Sequence, residues 1–432
     1  MSNAHNGVTR RSFLHSCAST AASCGALTAA SRAFELQAAE MRSGARDPWS
    51  DADWADVLGA FDLGSHTPMN TANLGPACRP AREALRAYTD SVDADPSFQN
   101  RAQFGATRIA THAALAGYLR VEPSEVAVTR NTTEGNNFVV QGLDLGADDQ
   151  VVLSAHNHPS NLAAWQRRAQ RRGFAVRQVG LASPPESPEH LFADLQVACS
   201  SRTRLLSFSH VTNLGGCRFP AAEISAWAGG RGILTLIDGA QSAGALDLDL
   251  HALGCDFFTA SAHKWFCGPR EAGLLYVRSE ASERLWPTII GLGHDRAEGA
   301  ARFETLGQRD DAAVAAFGLT VEFLHRIGSA AIEARVAALT TRLKEHLAEI
   351  PGVRLYTPTP AAFSGGVVAF RVANVEPRAA YRLLYEEHRI AGASSGVEGG
   401  GLRLSPHIYN SLADCDRAIV AVREIARGNA SS

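Results

Sequence analysis

The chain has 432 residues, 45% of them hydrophobic and 20% charged, a balance that excludes a disordered chain, a collagen and a coiled coil. A formal net charge of −3 gives no basis for nucleic acid as a partner, and no apolar run of about 18 residues predicts a membrane span. Of 41 basic residues two are lysines, Lys264 and Lys344, so each stands where the arginine used everywhere else was not.

Residues 9–15 read Thr-Arg-Arg-Ser-Phe-Leu-His, followed by an Ala-rich stretch from Cys17 to Ala30 and then Ser31-Arg32-Ala33. The pattern resembles a bacterial twin-arginine export signal with a small-x-small cleavage site near Ala33. It implies recognition by the twin-arginine machinery and a periplasmic location. Residues 1–33 hold three arginines and no acid, so their removal takes the net charge from −3 to −6. A lipoprotein reading through Cys24 lacks the usual leucine before it. The six remaining cysteines are dispersed, without CxxC or zinc-like spacing, and read as small buried hydrophobes.

From about residue 105 to 280, strand-like and helical patterns alternate. Strands are expected at 126–129, 151–153, 175–179, 203–208, 233–237, 257–260 and 274–277, with helices at 133–141 and 162–172 between them. This alternation predicts an α/β fold with a mostly parallel sheet flanked by helices. The Pro-rich stretch Leu181 to His190 reads as a surface connection. Beyond about 310 the pattern changes to long helices at 312–327 and 332–347, strands at 367–372 and 401–404, and a last helix at 412–427. The expected organisation is a signal at 1–33, a large domain at 34–310, and a linking helix with a smaller α+β domain at 311–432. Lys344, beside the apolar stripe of its helix, is expected to be solvated.

The strand at 233–237 ends in Asp238-Gly239-Ala240-Gln241, and the one at 257–260 runs into Ser261-Ala262-His263-Lys264. Neighbouring carboxyl ends form the crevice where open α/β sheets bind ligands, so the acid and the lysine point into one pocket. Pyridoxal phosphate needs these parts. A lysine amine forms the Schiff base to its aldehyde, and a carboxylate keeps the pyridine nitrogen protonated. Its phosphate suits hydroxyls and N–H groups at a helix N-terminus, which Arg130-Asn131-Thr132-Thr133-Glu134-Gly135 provides after the strand at 126–129.

Thr-Thr-Glu-Gly-x-Asn, His-x-x-Asn, Ser-His-Val-x-Asn, Asp-Gly-Ala-Gln and Ser-x-His-Lys occur here in order. The chain thereby resembles the class V aminotransferase-type, fold-type I pyridoxal-phosphate enzymes, a group that includes cysteine desulfurases and isopenicillin N epimerase-like proteins. The resemblance covers roughly residues 65 to 425. It implies that Lys264 carries the cofactor and shuttles the Cα proton, and that Asp238 pairs with the ring nitrogen. It places Gln241 and Asn213 at the phenolic oxygen, His158 against the ring face, and Thr132, Thr133, Ser261 and His263 on the phosphate. Arg403 falls where the family binds the substrate α-carboxylate, and Asn73 is placed beside the substrate. An arginine suits that task because its planar fork matches a carboxylate. His156 could exchange roles with His158, or pair with it on a metal. The family also implies a small-molecule amino-acid-type substrate and a homodimer with the active site at the subunit contact.

Two departures narrow the chemistry. The stretch Ile390 to Gly401 contains no cysteine where desulfurases carry one, which argues against persulfide chemistry. Gly307-Gln308 replaces the family's Gly-Thr, whose threonine reaches the partner's phosphate. The expected reaction is transamination or a related oxidative deamination. The alternatives are isopenicillin N epimerase-like racemisation and a C–S or Cβ lyase. Exported family members that act on siderophores such as pyoverdine suggest an amino-acid moiety on a larger metabolite. Outside the class stand a serine hydrolase through Ser394, in Gly392-Ala393-Ser394-Ser395-Gly396, and a non-catalytic protein of the same fold.

Overall fold

A computed structural model describes residues 49–180, 185–397 and 399–428. The export-like segment, residues 1–33, lies outside them. Short runs of β-branched, aromatic and aliphatic residues form the strands of a seven-stranded sheet. These are β2 (Val126–Thr129), β3 (Gln150–Ser154), β4 (Ala175–Val179), β5 (Thr203–Ser209), β6 (Leu234–Asp238), β7 (Phe257–Ser261) and β8 (Gly273–Val277). Their order is β2-β8-β7-β6-β5-β3-β4, and β8 is antiparallel to both neighbours while the pairs from β7 to β4 are parallel. The mostly parallel sheet is therefore as the alternation predicts. Strands β2, β6, β7 and β8 are buried along their whole length, as expected when helices cover both faces.

Helices α1 (Arg79–Ala94), α2 (Gln103–Leu119), α3 (Thr132–Gly142) and α4 (Pro159–Arg172) belong to the large domain. A helix at Pro188–Ala198, capped by Ser187, begins inside the segment expected to be a connection. The linking helix α5 (Asp311–Ile327) buries Val314, Phe317, Val321 and Leu324 in the large core. The division between the cores runs along α6 (Ser329–Ala348). Ile332 and Val336 pack in the large core, while Leu339, Leu343 and Leu347 pack in the small one. The small domain holds an antiparallel sheet, β12-β13-β10-β9, made by β9 (Val353–Leu355), β10 (Val368–Val372), β12 (Ala393–Ser395) and β13 (Gly401–Leu404). Helices α7 (Pro377–Glu386) and α8 (Leu412–Gly428) cover it. The early strand β1 (Thr67–Pro68) pairs in parallel with β11 (Ile390–Ala391), tying the N-terminal segment to the small domain.

Lys344 is not solvated. Its side chain turns under the segment 358–364, where Nζ donates to Thr359 O at 2.8 Å, Ser364 Oγ at 2.7 Å and Pro358 O at 3.3 Å. Three acceptors converging on one point suit a compact ammonium better than a planar guanidinium. Helical spacing placed Lys344 beside the stripe but could not show that another segment closes over it.

Burial pushes the Lys344 ammonium down to about 8 from an ordinary 10.5. Below about 8 both folded and unfolded chains carry the charge, and the folded state bears the full desolvation cost. Between that value and 10.5 the folded chain loses its proton first, so stability rises with pH. Relative to Lys344→Met, the wild type should gain up to about 3 kcal/mol across this window in denaturant titrations. A difference that stays flat with pH would show that Lys344 titrates normally.

Candidate active site

Asp238 is the last residue of β6, and the sheet register sets it between Ser209 on β5 and Thr259 on β7. The polypeptide leaves several strands at this edge, and their next residues enclose a cavity of about 250 Å³. Asn131, Thr132 and Thr133 follow β2, and His158 and Ser160 follow β3. Asn213 follows β5, Asp238 and Gln241 end and follow β6, and Ser261, His263 and Lys264 end and follow β7. Asn73 closes the cavity from the N-terminal segment. That segment lies close because Gly75 N donates to His263 O at 2.8 Å, and a Cβ on Gly75 would stand 2.3 Å from Lys264 O.

Lys264 has its amine pushed below the ordinary value by burial, with the Arg403 charge adding to the shift and Asp238 opposing it. An amine so placed has a larger neutral fraction near pH 7, the form that attacks a carbonyl or takes up a proton. The Asp238 carboxylate accepts from Ala240 N on Oδ1 at 3.1 Å and from Asn136 Nδ2 on Oδ2 at 3.0 Å. Each oxygen keeps a further lone pair for a third donor.

The other end of the cavity is built to hold an anion. Asn131 caps α3 by accepting from Glu134 N at 3.0 Å, and the positive start of the helix, with Thr132 and Thr133, lies on the cavity wall. Thr132 N donates to Ser261 Oγ at 2.9 Å, and the two hydroxyls lie 2.7 Å apart. His263 lies beside them with a buried Nδ1 that has no partner, and burial keeps its ring neutral by lowering its affinity for a proton. Helix N-terminus, hydroxyls and an unpaired imidazole nitrogen at one end, with a carboxylate and a lysine further in, fit pyridoxal phosphate.

His158 lines this cavity and His156 does not. Ser160 N donates to His158 Nδ1 at 3.2 Å, which puts the ring proton on Nε2, and burial together with the Lys264 charge disfavours a second proton. Gln241 is braced at both ends of its amide. Nε2 donates to Ala72 O at 2.9 Å and Oε1 accepts from Trp265 Nε1 at 2.8 Å, leaving one N–H for a ring oxygen. Arg403 stands behind the wall rather than on it, donating to Asn213 O at 2.9 Å and Asn70 Oδ1 at 3.1 Å, with Nε unpaired. Burial pushes its guanidinium down to about 10, still charged at neutral pH. Asn70, Asn136 and Trp265 are supports that the motifs do not mark. Asn136 occupied the variable position of Thr-Thr-Glu-Gly-x-Asn, and the other two touch the site only through long-range contacts.

Gln308 is engaged within its own chain, accepting from Arg101 Nη2 at 2.7 Å and donating to Arg309 O at 3.3 Å. Ser394 lies exposed in the middle of β12, antiparallel to β13, so the strand–turn–helix of a nucleophile elbow does not form. Ser395 Oγ donates to Leu214 O at 3.1 Å, pinning this loop to the turn that carries Asn213.

A family model described as aminotransferase class-V matches residues 80–417. Isopenicillin N epimerase of Streptomyces clavuligerus is 32% identical over 384 residues, covering 85% of this chain and 96% of that protein. A probable cysteine desulfurase of Pseudomonas aeruginosa is 32% identical, covering 87% of this chain and 97% of the other. A solved complex of the cystine C–S lyase C-DES with cysteine persulfide superposes with a TM-score of 0.77 at 26% identity, covering 84% and 98% of the two chains.

Replacing Arg403 by Gln should raise KM for substrates with a free α-carboxylate by roughly 10- to 100-fold, the worth of a charge-assisted hydrogen bond. Initial rates against an α-carboxamide analogue should change little. An equal loss with both substrates would remove Arg403 from carboxylate recognition.

Proposed function

We propose that this chain, which belongs to the aminotransferase class-V family, is a pyridoxal-phosphate enzyme that removes and returns the Cα proton of an amino-acid-type small molecule. The observation that carries this reading is the pairing of a buried amine of lowered proton affinity, Lys264, with Asp238 in one cavity. When bound, the cofactor supplies an electron sink for the charge left at Cα. Lys264 then holds and moves the proton. Asp238 keeps a proton on the ring nitrogen, the α3 N-terminus with Ser261 and His263 holds the phosphate, and Arg403 receives the α-carboxylate.

Within this chemistry we favour epimerisation. Relatives of 32% and 29% identity that match over nearly their whole length are isopenicillin N epimerases. His158 lines the same cavity, and exchange of its Ser160 contact for a proton on Nδ1 would give Lys264 a partner on the other face of Cα, one group taking the proton while the other returns one. Transamination, the expectation from the motifs, is the second reading. It differs in where the proton goes next and is supported by the family's description. Persulfide chemistry is disfavoured, since no cysteine of the described residues lines the cavity. We further propose that residues 1–33 are a twin-arginine signal for export of the folded, loaded enzyme to the periplasm. In this reading the working form is a homodimer. Exposed Phe98, Ile109, Trp286, Ile290 and Leu292 supply apolar surface for such a contact.

Incubation of the purified holoenzyme with amino acids in heavy water separates the readings. Deuterium entering Cα with loss of optical rotation and no keto acid is the expected result. Keto acid formed with a reduced cofactor would replace epimerisation by transamination, and no exchange with any amino donor would end the Cα-proton reading.

A further inference from the structure

The Asn136 side chain joins the acid of the site to the neighbouring strand β7. Its amide nitrogen donates to Asp238 Oδ2 at 3.0 Å, and its oxygen accepts from Thr259 Oγ1 at 2.8 Å. The residue is 1% exposed, and a buried amide in such a place must satisfy both ends. Asp238 can only accept, so it turns the amide N–H toward itself, and Thr259, beside Asp238 in the sheet register, holds that orientation by donating its hydroxyl to the amide oxygen. With the oxygen claimed by Thr259, only N–H can point at the carboxylate. The sequence prepares the contact one residue earlier. A Cβ on Gly135 would meet Thr259 Cγ2 at 2.9 Å, so glycine lets α3 settle against β7 at this level.

We infer that Asn136 is a positioning residue that tunes the Asp238–ring-nitrogen pair of the bound cofactor. The inference rests on the pyridoxal-phosphate reading above. Asp238 has one oxygen occupied by Ala240 N and the other by Asn136, and both donors share its negative charge. Two donors fix the plane of the carboxylate, so it would meet the ring nitrogen's proton in one orientation and keep the protonated ring paired, which the electron sink needs. Helix α3 also presents Thr132 and Thr133 to the phosphate end of the cavity. One rigid element thus sets the phosphate position and the strength of the nitrogen contact together.

The test compares wild type, Asn136→Leu and Thr259→Val, each loaded with pyridoxal phosphate labelled with 15N in the ring. Wild type must first show covalent cofactor at Lys264, and failure there counts against the pyridoxal-phosphate reading rather than against Asn136. The expected result for Asn136→Leu is a ring 15N shift moved toward the unprotonated value, with Cα deuterium exchange slowed about tenfold and KM unchanged, as for loss of one hydrogen bond to a charged group. Thr259→Val, which frees the amide without removing it, should move both readouts the same way by less. It decides the matter if Asn136→Leu does not fold. A wild-type 15N shift and exchange rate in the variant that folds would overturn the inference and leave Asn136 as packing.

Discussion

Burying an amine at the carboxyl edge of a sheet costs the protein the hydration of an ammonium, and this cost shapes the active site. Lys264 meets Asp238, which favours its charged form, but burial and Arg403 outweigh that attraction. The balance leaves an amine close enough to a carboxylate to share one ligand yet not locked into an ion pair with it. Parallel strands make the arrangement possible, since they end on the same edge and bring residues far apart in sequence around one cavity.

The same chain contains a control. Lys344 is buried too, and its amine is also held below the ordinary value. Its environment differs in kind: two carbonyls and a hydroxyl surround Nζ, with no acid among these partners. Burial alone therefore does not make a reactive lysine. Lys264 adds a facing carboxylate, a neighbouring anion-binding helix end and space for a ligand.

Much of this was legible in the sequence. Strand positions followed from short β-rich runs, and Asp238 and Lys264 from their places at strand ends. The helix start that brings Thr132 and Thr133 to the cavity followed from the motif after β2. Supports were not legible, because they depend on what lies across a contact. Asn136 becomes informative only when β7 places Thr259 beside Asp238. Gln241 is braced by Ala72 from a segment 169 residues earlier. The burial of Lys344 is hidden for the same reason, since the segment over it belongs to no helical pattern. Arg403 is marked by its place in the motif, whereas its bonds to Asn213 O and Asn70 Oδ1, which hold it behind the cavity wall, are not.

With two lysines in the chain, the assignment of Lys264 can be tested without a library of variants. Reduction of the pyridoxal-phosphate-loaded protein with borohydride fixes the cofactor to the amine that holds it, and peptide mass mapping then locates the adduct. One equivalent of label in the peptide containing Lys264, with the Lys344 peptide unmodified, is the predicted result. Label at Lys344, or a protein that takes up pyridoxal phosphate without labelling Lys264, would contradict it.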